Sequence, residues 1–147
     1  MNCKADKRQL TRRLIEIVGK DAVLADEREL IVYECDAYTL QRTPPTAVVL
    51  PRSTQEVEAV VCLCAEMEVP IIPRGAGTSL SGAVLAVDGG VMIVLTRMNR
   101  VLNIDPRNRR ALVEAGCINA WITRNASAQG LFYAPDPSSQ TACTIGG

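Results

Sequence analysis

The sequence has 147 residues, of which 48% are hydrophobic and only 3% aromatic, with 16 basic and 16 acidic side chains. This length suits one domain with an aliphatic core. The zero formal charge excludes a general electrostatic attraction to nucleic acid or to an anionic membrane. The charge is uneven, because residues 1–20 are mainly basic and residues 21–36 mainly acidic, which fits either a docking face or a solvated helix surface.

Six cysteines raise the question of a metal site or a disulfide framework. No two of them form a C-x-x-C pair, and there is no histidine to complete a mixed zinc site. We therefore predict no metal site and a reducing, cytoplasmic location, in which most thiols pack as small hydrophobic groups. No apolar run approaches the roughly 20 residues of a membrane helix, and we expect no signal peptide. The cysteines are Cys3, Cys35, Cys62, Cys64, Cys117 and Cys143.

The first 42 residues are predicted to form a helical lead-in. Apolar side chains recur at helical spacing over residues 6–19. A second helix, over residues 26–33, starts with acidic side chains and has Leu30 and Tyr33 on one side. Neither helix carries recognisable chemistry, so we expect both to pack against the domain that follows.

A strand–helix–strand pattern follows a break at residues 43–45. Residues 47–50 form a short apolar run, typical of a strand buried on both faces. Ser53 and Glu56 predict a capping box at the start of a helix, and residues 69–72 form a second apolar strand. This spacing predicts a βαβ unit with two parallel strands. The buried face of the helix is predicted to carry Val57, Val60, Val61 and Cys64.

The rest of the chain predicts an antiparallel unit. A third apolar strand covers residues 91–95, and strands at 101–104 and 111–115 are joined into a hairpin by a turn-forming connection. A helix is predicted from about residue 116 to about residue 130. Its inward side chains are predicted to be Ile118, Trp121 and Ile122.

These elements predict an α+β fold. We expect a small parallel sheet with helices over about residues 45–100, followed by the start of an antiparallel sheet with a helix over about residues 101–147. The second sheet should be incomplete and should leave an apolar edge exposed, which favours aggregation.

The loop over residues 73–82 is the first candidate binding site. It combines three glycines with hydroxyl side chains, so its backbone N–H groups can approach an anion closely. The dinucleotide fingerprint G-x-G-x-x-G fits Gly75 and Gly77 but meets Leu80 at the third position. The G-x-x-x-x-G-K-[ST] motif fails because Ala83 stands where the lysine is required. Diphosphate binding and a plain glycine-rich turn both fit this loop taken alone.

A second loop, over residues 134–147, is rich in proline, serine, threonine and glycine. Its prolines stiffen the chain, and its small polar side chains supply hydrogen-bond donors without bulk. Taken alone, such a segment is usually only a connection.

Together, these loops and two shorter segments resemble the FAD-binding domain of the vanillyl-alcohol oxidase and para-cresol methylhydroxylase (PCMH) superfamily. The resemblance runs from about Tyr33 to the last residue. It is closest to the glycolate oxidase FAD-linked subunit and to D-lactate dehydrogenases. The matching segments are Tyr33-Glu34-Cys35-Asp36, Val48-Val49-Leu50-Pro51, Arg74-Gly75-Ala76-Gly77-Thr78, Asp136-Pro137-Ser138-Ser139 and Ile145-Gly146-Gly147.

The resemblance implies FAD as the cofactor and a role for each loop. In the family, the first loop wraps the FAD diphosphate with backbone amides, and the second lines the flavin and ribityl side. The implied positions in the first loop are Pro73, Arg74, Gly75, Ala76, Gly77, Thr78 and Ser79. Those in the second loop are Asp136, Pro137, Ser138, Ser139, Thr144, Ile145, Gly146 and Gly147.

The resemblance also bears on how FAD is held. Thr78 stands where some relatives attach the flavin to a histidine, so we expect non-covalent FAD. Cys117 or Cys143 could serve as a thioether anchor, although plain packing explains both residues more simply.

The activity that the resemblance implies is oxidation of a small 2-hydroxy acid of the glycolate or D-lactate class, with hydride transfer to N5 of FAD. It also implies an iron–sulfur partner subunit as electron acceptor. The family's substrate residues lie downstream, so we assign no catalytic residue here, and we expect Glu114 and Asp136 to be structural or solvent-facing. A 2-hydroxyglutarate or alkyl-glycerone-phosphate enzyme, and a non-catalytic remnant or interaction module, remain alternatives.

We accordingly expect a lead-in at residues 1–42 and, at residues 43–147, the N-terminal and incomplete part of a PCMH-type FAD-binding domain. Because part of the cofactor cradle would then be missing, we expect this chain alone to bind FAD weakly or not at all.

Overall fold

The computed structural model describes residues 6–146, so Cys3 and Gly147 lie outside the described residues. The elements are α1 (Lys7–Val18), β1 (Val23–Leu24), α2 (Glu27–Leu30), β2 (Ala47–Val49), α3 (Thr54–Glu66), β3 (Ile71–Arg74), β4 (Val91–Val94), β5 (Val101–Asp105), β6 (Arg110–Val113) and α4 (Asn119–Ala126). The predicted α+β class, both lead-in helices and the hairpin are confirmed. The short strand β1 was not predicted.

The first sheet has the strand order β1-β2-β4-β3. Strands β2 and β3 each pair in parallel with β4, so the predicted parallel orientation is confirmed, with β4 between them. Alternate side chains of β2 and β4 point to opposite faces. Val49 and Ile93 pack in a core with α1 and α3, whereas Val48 and Met92 pack with Leu30, Val84 and Ala86 on the other face.

Strand β3 differs from its prediction. It begins at Ile71 rather than at residue 69 and extends through Pro73 to Arg74. Val69 instead closes the C-terminal end of α3, where its amide donates to the Cys64 carbonyl (2.8 Å). Strand β3 lies at the sheet edge, which is where a proline can be accommodated because no partner needs its missing N–H.

Helix α3 has the predicted cap, with the Ser53 hydroxyl accepting from the Glu56 amide (3.2 Å). The Glu56 carboxylate accepts in turn from the amide of Arg52, one residue before the cap (2.6 Å). The prediction that Val61 faces the core is wrong, because Val61 is 38% exposed and Leu63 is buried instead. Periodicity gives the width of an apolar stripe but not which edge of it a neighbouring element covers.

The antiparallel unit consists of the β5–β6 hairpin, with α4 packed beside β5. The prediction that Trp121 faces inward is wrong, because it is 36% exposed. The buried positions of α4 are Asn119, Ile122 and Ala126, which form one stripe. An open groove of about 500 Å³ lies between the hairpin, α4 and residues 130–133. The predicted exposed apolar edge of the second sheet stays a prediction. Among residues 6–146, no helix is long and apolar enough to cross a membrane.

Candidate functional site

The first candidate loop begins where β3 ends, at Arg74. The backbone N–H groups of Ala76, Gly77, Thr78 and Ser79 donate to no acceptor among residues 6–146. Unsatisfied amides in a glycine-rich turn are the donors that a phosphate anion needs.

Close packing explains the glycines at positions 75 and 77. A Cβ added to Gly75 would overlap the hydroxyl of Thr144, and one added to Gly77 would overlap the guanidinium of Arg74. Gly77 also has a φ of +71°, a conformation that side-chain-bearing residues rarely adopt. Lack of space therefore favours glycine at position 75, and the backbone conformation favours it at position 77.

Residues 33–37 support the loop from the N-terminal lead-in. The Ala37 amide donates to the Gly77 carbonyl (3.2 Å), and Arg74 Nη1 donates to the Cys35 carbonyl (2.8 Å). The Arg74 guanidinium also lies over the Tyr33 ring, 5.6 Å from its centroid. Sequence reasoning matched residues 33–36 to the family but gave them no role in the site.

The second loop packs against the start of α4. The carbonyls of Gln140 and Cys143 accept from the amides of Ala120 and Asn119, each at 3.0 Å. These bonds satisfy N–H groups that a helix leaves without intrahelical partners. A turn precedes them, in which the Cys143 amide donates to the Ser139 carbonyl (2.8 Å).

Residues 144–146 run alongside residues 115–118. Thr144 forms an antiparallel bridge with Ile118, and the Gly146 amide donates to the Ala115 carbonyl (2.7 Å). The Ile145 amide donates to the Cys117 carbonyl (3.0 Å). The second loop is thus fixed by backbone bonds, which no side-chain pattern in the sequence reveals.

The two loops meet at Gly75. Besides its contact with the Thr144 hydroxyl, a Cβ at this position would lie 3.3 Å from the Gly146 carbonyl oxygen. The structure therefore brings together Gly75, Thr144 and Gly146 from the predicted set. Asp136, Pro137 and Ser138 are exposed at the start of the second loop. Their predicted role and that of the half-buried Ser139 stay predictions, as does that of Gly147, outside the described residues.

The acidic residues near the loops make structural contacts or face solvent. Glu114 accepts from Arg100 Nε (3.0 Å) and from the Arg100 amide (2.8 Å), and the side-chain hydrogen bond is the main reason that the pKa of Glu114 is lowered. Asp136 is exposed. No group of three potential metal ligands occurs within the described part of the chain.

The cysteine environments favour packing. Cys117 is fully buried, and burial followed by the nearby charge of Glu114 raises the pKa of its thiol. A raised pKa disfavours the reactive thiolate. Cys143 is only partly buried. On α3, Cys64 is buried and Cys62 exposed, as their spacing indicates.

Comparisons with known proteins agree with this geometry. The family model described as "FAD binding domain" matches residues 45–147. Glycolate oxidase subunit GlcD of Escherichia coli (strain K12) is 42% identical over 142 residues, covering 97% of this chain and 28% of that protein. D-lactate dehydrogenase of Anaerostipes hadrus is 35% identical over 139 residues, covering 95% of this chain and 29% of that protein. The chain thus spans less than a third of the length of these relatives.

Solved structures share the fold. An alkyldihydroxyacetonephosphate synthase superimposes with a TM-score of 0.83 at 28% identity, covering 94% of this chain and 30% of that one. A p-cresol methylhydroxylase superimposes with a TM-score of 0.80 at 24% identity, covering 98% of this chain and 28% of that one. The chain therefore belongs to the FAD-binding domain family that includes glycolate oxidase subunit GlcD and D-lactate dehydrogenase, with FAD as its cofactor and a p-cresol methylhydroxylase-type fold.

Proposed function

We propose that the loop over residues 73–79 holds the FAD diphosphate through its backbone amides. The observation that carries this proposal is the set of N–H groups at residues 76–79 that have no acceptor among residues 6–146. The loop also has little room for side chains at positions 75 and 77, because a Cβ added to either glycine would overlap protein atoms. A phosphate group accepts several hydrogen bonds, so this donor set fits it.

We further propose that Asp136–Ser139 and Thr144–Gly147 lie along the ribityl and flavin part of the cofactor. Support comes from the position of Thr144 and Gly146 against Gly75, which places the second loop at one end of the first. Thr144 donates its hydroxyl to the Gly146 carbonyl (3.1 Å), an interaction that fixes the backbone there. FAD would be held non-covalently, since Cys117 is buried with a raised pKa that disfavours the thiolate, and Thr78 has no nucleophilic ring nitrogen.

For the whole protein we propose oxidation of a small 2-hydroxy acid. FAD, when bound, supplies the acceptor for the hydride removed from the substrate. Glycolate oxidase, D-lactate dehydrogenase and D-2-hydroxyglutarate dehydrogenase are the names of similar proteins, and all three name 2-hydroxy acids. We assign no catalytic base to this chain, because Glu114 is engaged by Arg100 and Asp136 lies on the surface.

We also propose that the electron acceptor is an iron–sulfur subunit and that the protein is cytoplasmic. The location is supported by the five described cysteines, all of which are free thiols, as suits a reducing compartment. The partner is supported by the similarity with a protein named as a subunit of glycolate oxidase.

The cofactor proposal is tested by titrating FAD, ADP and riboflavin against the chain and following flavin fluorescence. If the first loop binds the diphosphate, ADP should displace FAD, whereas riboflavin, which lacks phosphate, should bind much more weakly than FAD. Riboflavin binding as tight as that of FAD would contradict the proposal.

The substrate proposal has a separate test. Glycolate, D-lactate and D-2-hydroxyglutarate are added without oxygen to the FAD-loaded whole protein, which includes the downstream substrate residues, and flavin absorbance is followed. Bleaching by one of the three acids supports the substrate class. Intact absorbance with all three, while FAD stays bound, would contradict the substrate class and leave the cofactor assignment standing.

A further inference from the structure

Arg74 is the one basic residue of the first loop, and an arginine beside a phosphate site is ordinarily expected to contact the anion with its charge. Its environment indicates otherwise. The Arg74 residue is only 8% exposed, and its guanidinium lies against Gly77, on the side where a Cβ would be. The head group therefore faces the protein interior, beneath the loop.

The partners of the guanidinium all belong to residues 33–36. Nη1 donates to the Cys35 carbonyl (2.8 Å), and the Tyr33 ring lies 5.6 Å below the guanidinium carbon. Asp36 is 5% exposed, and its Oδ2 atom accepts no hydrogen bond among the described residues. The negative charge of Asp36 helps to offset burial of the cation, which is the main cause of the lowered pKa of Arg74.

The same short segment also bonds to the loop directly, through the Ala37 amide and the Gly77 carbonyl (3.2 Å). Gly77 is thus held from two directions, by the guanidinium of Arg74 and by the backbone of Ala37. With Gly77 fixed, the N–H groups on either side of it are fixed as well. This support comes from residues that precede the part of the chain matched by the FAD-binding model, which begins at residue 45.

We propose that Arg74 is a positioning residue. Its side chain ties the loop over residues 75–79 to Tyr33 and Cys35 and so orients the loop amides, while any contact of Arg74 with the cofactor is through its backbone. The inference rests on the proposed FAD site. It extends that site to residues 33–37 and changes the role of the Arg74 charge from binding the anion to supporting the loop.

The test compares Arg74→Met, Arg74→Lys and Tyr33→Leu with Arg8→Met as control. Arg8 is an exposed arginine on α1, so its replacement removes the same charge without touching the loop or residues 33–37. Two readouts are taken: backbone ¹⁵N order parameters of residues 75–79 without FAD, and FAD affinity as a function of salt concentration.

If Arg74 positions the loop, the order parameters of residues 75–79 should fall from the rigid value of about 0.85 toward 0.6 or below in both Arg74 variants. They should fall to a smaller degree in Tyr33→Leu. FAD affinity should fall about tenfold in Arg74→Met and Arg74→Lys alike, with an unchanged salt dependence, because no phosphate contact has been lost. Arg8→Met should resemble the wild type in both readouts.

Two results would overturn the inference. One is a loop that stays rigid in Arg74→Met. The other is a difference between the two Arg74 variants. If Arg74→Lys binds FAD almost as tightly as the wild type, while Arg74→Met binds FAD weakly and with a smaller salt dependence, Arg74 contacts the phosphate directly. If Arg74→Met does not fold, Arg74→Met/Asp36→Asn removes both buried charges and serves in its place. If the wild-type chain alone binds no FAD, as the incomplete cradle predicts, affinities are measured in the whole protein, and the order parameters of the chain still decide the role of Arg74.

Discussion

Gly75 lies directly against Thr144, so the absence of a side chain at one position makes room for a hydroxyl 69 residues later in the chain. This contact joins the two loops that hold the predicted cofactor residues. Gly75 does not have a positive φ, so its requirement for glycine arises from space alone.

We therefore expect Gly75→Ala to destabilise the protein by about 1–3 kcal/mol, the usual effect of overpacking. In Gly75→Ala/Thr144→Ala the overlapping hydroxyl is gone, so the double variant should recover part of that loss. Urea unfolding of the wild type, both single variants and the double variant measures the coupling between the positions. Strictly additive effects would show that the two side chains do not compete for space.

The ion pair between Arg100 and Glu114 predicts a pH dependence of stability. The Arg100 hydrogen bonds lower the pKa of Glu114 in the folded state. The contribution of this ion pair to stability is therefore complete above the pKa of an unfolded glutamate, about 4.3. It is lost as the pH falls through the lower pKa that Glu114 has in the folded state.

Glu114→Gln should consequently lose stability at pH 7 and show a shallower decline between pH 5 and pH 3 than the wild type. Denaturant unfolding across this range makes the comparison, with Glu58→Gln on the exposed side of α3 as control. Parallel pH profiles for the wild type and Glu114→Gln would contradict the assigned ion pair.

The cysteines predict a graded reaction with a thiol reagent. Burial raises the pKa of Cys64 to about 11 and also raises that of Cys117, so both should react slowly in the folded protein, whereas the exposed Cys62 should react quickly. Timed labelling followed by peptide mass spectrometry assigns each rate. Cys62→Ser should remove its fast signal without slowing the others, and rapid labelling of Cys117 in the native state would disprove its burial.

Side-chain type and spacing in the sequence predicted the elements and the first loop well. Glycines that follow an apolar strand, as Gly75 and Gly77 do, indicate a place where another group approaches the backbone closely. The supporting contacts were not predictable, because Tyr33 and Cys35 reach Arg74 only after the lead-in has folded beneath the loop. No local pattern encodes a contact between residues 39 positions apart.

The wrong predictions have two causes. Val61 and Trp121 are apolar and lie next to the buried stripe of their helices, but no neighbouring element among residues 6–146 covers them, so tertiary packing determines their exposure. The start of β3 was misplaced because Val69 looks like a strand residue, although its amide bonds to the Cys64 carbonyl and closes the end of helix α3.

The central claim, that the first loop binds FAD, is tested most directly by comparing two glycine variants in an FAD titration. Gly77 and Gly130 have similar φ values of +71° and +68°. A Cβ at Gly77 would meet Arg74, whereas one at Gly130 would meet no atom of the described residues within 4 Å. Both substitutions strain the backbone, and only Gly77→Ala disturbs the loop.

We predict that Gly77→Ala weakens FAD binding by about tenfold or more, equivalent to about 1.4 kcal/mol, while Gly130→Ala binds FAD like the wild type. Equal FAD affinities of Gly77→Ala and the wild type, with both proteins folded, would contradict the assignment of this loop to the cofactor.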